Sequence, residues 1–173
     1  MADAGADVVD IAPRASLLAK IQSERAWWAN LVQEIGEERM TEPGPMGDWT
    51  FKDLASHLLG WRDRTIGRLE AAAEDRAEPP LPWPAELGDE EDDPINAWIH
   101  ERTRDRPLRD VLDDVDRSYE QLASAVAALP DDLVTRPDAF PWLDGEALVD
   151  VELFGHLHDE HEPALRAWLD RHD

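Results

Sequence analysis

The sequence predicts an all-α helical bundle, and three observations carry that prediction. Apolar residues recur at helical spacing over four long segments. Apolar alternation is absent and β-branched residues are few, so no stretch competes as a strand. The segments are separated by loops rich in Pro and Gly, the arrangement expected of a bundle.

The chain has 173 residues, which fits one domain and leaves too little for two good cores. Residues 1–12 are predicted as a flexible N-terminal tail and 13–173 as a single helical domain. Pro13 suits a first helical turn, where a missing N–H costs nothing. Leu17, Leu18, Ile21, Trp28, Leu31, Val32 and Ile35 follow at helical spacing, and Gly36 marks the end. Thr41–Asp48 holds two Pro and two Gly and is predicted as a loop. Thr50 with Asp53 three residues on resembles a capping box. The helix it opens carries Phe51, Leu54, Leu58, Trp61, Thr65 and Leu69 on one face and is predicted to run to about Asp75.

Residues 78–94 hold five Pro and a run of acids, a composition no helix survives. Long loops of this kind are often lids, which makes Trp83, between Pro82 and Pro84, a candidate flap residue; a Trp that pins the loop to the body is the favoured alternative. A short helix is expected over Ile95–Arg104. A third long helix begins at Pro107 and ends at Pro130. The last is expected from about Glu146 to about His161, broken by Pro163, and buried on most sides because Ala147–Leu157 is largely apolar.

The bulk composition excludes several function classes. The net charge is −23, with 40 acidic residues against 17 basic. Such a surface repels phosphate backbones and anionic lipid, so neither nucleic acid nor a membrane surface is an expected partner. No apolar run is long enough to span a bilayer, and the acidic start is no secretory signal. The expectation is a soluble, cytoplasmic protein. There is no Cys, which removes disulfides, thiolate ligands and a Cys nucleophile. Eight Trp against one Tyr and three Phe imply that Trp lines a cavity or interface. No Gly-rich phosphate loop, nucleophile elbow, His-Glu-x-x-His or Ca loop is present.

The last predicted helix holds the candidate chemistry. Glu152 and His156 are four residues apart, hence neighbours on one helical face, and a buried ionisable pair needs a partner. His57, bordering the apolar stripe of the second helix, is the candidate. Two imidazoles and a carboxylate suit Zn, Ni or a similar divalent ion, with positions left for water or substrate. The alternative, structural hydrogen-bonded histidines, stays open on spacing alone. His158 and His161 read as exposed surface groups, and His156 with Glu160 is a second pair at the same spacing.

The segment Gly47-Asp-Trp-Thr-Phe-Lys-Asp-Leu-Ala-Ser-His-Leu-Leu-Gly-Trp61 resembles the second-helix signature of DinB-like proteins. The stretch Asn96–Leu108 and the ending Phe154-Gly-His-Leu-His-Asp-Glu-His161, with Pro163 and Arg166-Ala-Trp-Leu169, look like the ClbS/DfsB branch. The resemblance spans about Ala15 to Leu169. It implies a DinB-like four-helix bundle, often a homodimer, with a cleft at one end. In metal-binding relatives, including mycothiol-dependent maleylpyruvate isomerases, a second-helix His joins a Glu-x-x-x-His or His-x-x-x-His pair on a late helix. His57 matches the first; Glu152 with His156 matches the second.

The ClbS/DfsB branch is similar to a self-resistance protein that opens a cyclopropane by hydrolysis without requiring a metal. That branch carries Tyr where this chain has His100. The resemblance implies a small-molecule hydrolase or thiol-dependent transferase in detoxification or self-resistance. His57, Glu152 and His156 would then be catalytic or metal-binding, with a low-molecular-weight thiol as a candidate cofactor. Trp49, Trp61, Trp98 and His100 would form the substrate cleft. The competing reading is a non-catalytic protein that sequesters an electrophilic or hydrophobic small molecule.

Overall fold

The computed structural model describes residues 12–171; the predicted tail falls outside them except for Ala12. The all-α class holds. Helix α1 spans Pro13–Ile35, α2 Phe51–Ala73, α3 Asp92–Thr103, α4 Leu108–Ala128, α5 Asp131–Thr135 and α6 Glu162–Asp170. Pro13 occupies the first turn of α1, and Gly36 follows its end at φ 76°, a conformation glycine adopts without penalty. The Thr50 hydroxyl accepts from the Asp53 N–H while the Asp53 carboxylate accepts from the Thr50 N–H, a reciprocal capping box at the start of α2.

The core lies where α2 packs along α4 and α4 along α1. Leu17, Ile21 and Leu31 of α1, Leu54 and Leu69 of α2, and Val115, Leu122 and Val126 of α4 are all buried there. Trp28 stacks on Phe51 at 5.2 Å between ring centres. A smaller cluster forms where α3 crosses α2, built from Trp83, Ile95 and Ile99 with Trp61 and Trp98 against it. Gly60 permits this crossing, since a Cβ there would stand 2.8 Å from Ile99 Cδ1. Trp83 is the pin and not a flap: it is 4 % exposed and its indole donates to the Gly88 carbonyl at 2.8 Å.

Three predicted features are corrected. Thr41–Asp48 is not all loop: strand β1 (Pro43–Met46) pairs antiparallel with β2 (Trp49–Thr50), reversing through Gly47 at φ 68°. Gly44 lets β1 lie on α6, because a Cβ there would sit 2.9 Å from the Trp168 ring. The loop after Pro130 contains the short helix α5.

The third correction concerns the chain's end. No long helix runs from Glu146 to His161, and the segment is not buried on most sides. Leu148–Asp150 form a 3₁₀ turn, Val151 is extended and Glu152 exposed, and His156–His161 form a π-helical turn running directly into α6. Gly145, Gly155 and the β-branched Val149 and Val151 weaken an α-helix across this stretch. Pro163 supplies the stronger reason. In a continuous α-helix its ring would collide with the carbonyl four residues earlier, at Asp159, and one hydrogen bond would be lost. The chain widens into a π turn before it and restarts with Pro163 in the first turn of α6.

Candidate metal centre

His57 lies in the second turn of α2, on the face turned toward the C-terminal segment, and is 2 % exposed. The π turn supplies two further imidazoles. His156 and His161 are five residues apart, which on an α-helix separates them by about 140°; the i→i+5 repeat of a π turn brings them onto one face. The result is a three-histidine cluster. The Nε2 atoms of His57 and His156 are 3.1 Å apart, those of His161 and His156 2.9 Å apart. Candidate ligand atoms from all three residues lie within 4.8 Å of one another.

The electrostatics favour neutral rings. Burial, helped by the neighbouring His161 and His156 imidazoles, pushes His57 down to about 4. Burial and His156 likewise lower His161. The Nδ1 of His156 lies 3.3 Å from the Glu160 carboxylate, the kind of outer partner that orients a metal-ligating imidazole. The Nδ1 of His57 is buried and has no partner in good hydrogen-bond geometry.

This donor set fits a divalent ion. Three imidazole nitrogens suit Zn, Ni and related ions and leave coordination positions open. Metal–nitrogen bonds of about 2.0–2.1 Å require ligand nitrogens a little over 3 Å apart, close to the two measured contacts.

The structure thus brings His57 and His156 together and replaces Glu152 with His161. Glu152 lies outside the π turn with its side chain 79 % exposed, 3.4 Å from Lys20 Nζ. The expected Glu152–His156 pairing needs an α-helical turn, and none exists there. His161, expected as a surface group, is 9 % exposed. His158 is also no free surface group: Nδ1 lies 2.7 Å from Glu162 and Nε2 2.9 Å from Glu24. Partial burial opposes charge on His158, but these two carboxylates outweigh it and raise its pKa. A sequence signal for His161 did exist: a five-residue spacing between histidines with Pro two positions after the second.

The four expected cleft residues separate. Trp61 borders a cavity of about 100 Å³ that His156, Arg62, Thr65, Leu153 and Phe154 also line, and its indole donates to Asn96 at 2.9 Å. Trp49 presents an edge to His57 at 6.0 Å and stacks on His100 at 4.9 Å. His100 Nε2 lies 3.6 Å from Asp53. Trp98 lines a different groove, of about 290 Å³, with Trp83 and Arg102.

With this geometry in place, comparison with known families gives a direct match. The model of the mycothiol maleylpyruvate isomerase N-terminal domain matches residues 21–143. The chain belongs to this family. The family lies within the DinB-like superfamily, so the fold and the resemblance to these isomerase domains agree; nothing found places the chain in the ClbS/DfsB branch. No curated protein and no solved structure matches. The mycothiol isomerase match includes His57 and stops short of His156 and His161, so those two histidines rest on the geometry alone.

Proposed function

We propose that this chain is a metal-dependent enzyme domain of the thiol-dependent transferase or isomerase kind, acting on a small electrophilic molecule. The observation that supports it most is the convergence of three imidazole Nε2 atoms beside the cavity bordered by Trp61 and Phe154. His57, His156 and His161 would hold the ion, which would supply Lewis acidity toward a bound oxygen or sulfur atom.

The chain's own residues then have distinct tasks. His57, kept neutral by burial, presents a lone pair at neutral pH instead of a competing proton. Glu160 orients the His156 ring through Nδ1. Trp61, Leu153 and Phe154 give the cavity apolar walls that limit water beside the cluster. With no Cys in the chain, a thiol nucleophile must arrive as a cosubstrate, and the family's mycothiol supports that class. The family match favours this thiol-dependent reading over hydrolysis. A role in detoxification and a homodimeric state belong to the same proposal.

The test is turnover. Protein loaded with Zn and supplied with mycothiol and small electrophiles such as cis-configured enoates is expected to isomerise or conjugate one of them, with the rate following thiol concentration. His57→Ala should lower that rate by at least a hundredfold. Tight binding of the same electrophiles without thiol-dependent turnover would favour the sequestering protein instead.

A further inference from the structure

Arg62 stands one helical turn and one residue beyond His57 on α2 and is 8 % exposed. It makes no ion pair among the described residues, although the chain has more than twice as many acids as bases. Several other partly buried arginines find carboxylates: Arg64 meets Asp89 at 2.8 Å, Arg68 meets Glu78 at 2.5 Å and Arg106 meets Asp114 at 2.5 Å; Arg39, packed over the Trp168 ring, is an exception but borders no imidazole cavity. A buried cation without a counter-ion is costly. In so acidic a chain, an arginine left without one invites a counter-ion from outside.

The guanidinium is held in place. One amino group donates to Ser118 Oγ at 2.8 Å, and that hydroxyl in turn donates to the Val115 carbonyl at 2.7 Å. Its face lies over the Tyr119 ring at 3.9 Å, a cation–π contact. These contacts fix orientation without neutralising charge; the neighbouring Asp63 carboxylate feels the guanidinium but forms no ion pair with it. Arg62 lines the same cavity of about 100 Å³ as His156. That volume is about three times a water's share of the liquid, room for a compact anionic group.

We infer that Arg62 is the anion-receiving residue of this site. It binds a carboxylate, or a group of like shape and charge, on the substrate and so aims the neighbouring atoms at His156 and the cluster. A planar fork matches a carboxylate in two hydrogen bonds, and a fixed fork beside a metal-ligand side chain sets the substrate's direction. The inference rests on the proposed active site for its meaning. Its test, however, needs neither metal nor turnover.

The test uses metal-free protein and follows Trp fluorescence during titration with crotonate and with its neutral isostere crotonamide. Wild type should bind crotonate saturably and at least tenfold more tightly than crotonamide. Arg62→Met should abolish that preference, and Arg62→Lys should keep its sign while weakening binding. The protein being metal-free throughout, the preference is read independently of the metal reading. Equal affinity for acid and amide in wild type, no saturable crotonate binding up to millimolar concentration, or an undiminished preference in Arg62→Met would overturn it. Because the wild-type comparison stands alone, a variant that failed to fold would not shield the inference.

Discussion

His156 sits at the centre of the cluster, its Nε2 within 3.1 Å of one imidazole nitrogen and 2.9 Å of another. Two imidazole Nε2 atoms therefore meet a third at hydrogen-bond distance, and the same three nitrogens could turn their lone pairs on a shared cation. Two predictions belong at this scale. Glu152→Gln should leave metal affinity within about twofold of wild type, since Glu152 faces solvent and Lys20; a large loss by equilibrium dialysis would place that carboxylate on the metal after all.

The second concerns acid. His57 falls from an ordinary 6.5 to about 4 on folding, so between those values the unfolded chain takes a proton that the folded chain refuses. Stability from this group is therefore present above pH 6.5 and lost as pH falls toward 4, by up to about 3 kcal/mol. Urea unfolding of metal-free protein should show wild type losing about 2 kcal/mol more than His57→Gln between about pH 7 and 4.5. Equal losses would mean that His57 is not buried as described. His57 was legible in the sequence because it interrupts the apolar stripe of an evident helix. His161 was legible only through its five-residue spacing from His156 ahead of Pro163, because its place depends on a local change of helical repeat.

Among the elements, the start of α2 and the chain's end contrast. The capping box at Thr50 and Asp53 was readable because it depends on residues three apart. Its loss in Thr50→Ala should cost about 1 kcal/mol, measurable as a shift in the urea midpoint. The C-terminal segment was misread because its apolar content mimics a buried helix while Pro163 dictates where helix can start. The π turn carries a sharper test. Pro163→Ala should release the turn toward α-helical repeat and leave His156 and His161, still five residues apart, about 140° apart around the axis. The far-UV circular dichroism should stay near wild type while metal affinity drops at least tenfold; unchanged affinity would contradict the role given to the π turn.

For the whole molecule, helical periodicity and the Pro/Gly punctuation were enough for the fold class, since each long helix is specified by its own residues. The fourth long helix was the exception, and α6 with the π turn takes its place. Among the described residues no helix is long and apolar enough to cross a membrane. The charge of −23 sets a further expectation. Self-repulsion weakens as salt shortens the Debye length from about 30 Å at 0.01 M to about 8 Å at 0.15 M. The melting temperature should rise by a few degrees across that range, and a fall would show that the surface ion pairs outweigh the repulsion.

The central claim is that His57, His156 and His161 hold one divalent ion. Its most direct measurement is the metal content of protein purified without an affinity tag, for wild type and His161→Ala side by side. The account predicts close to one equivalent of Zn, Ni or a related ion in wild type and near none in His161→Ala, with both proteins folded. A wild type that takes up no ion even after incubation with Zn, or a His161→Ala protein that keeps a full equivalent, would contradict it.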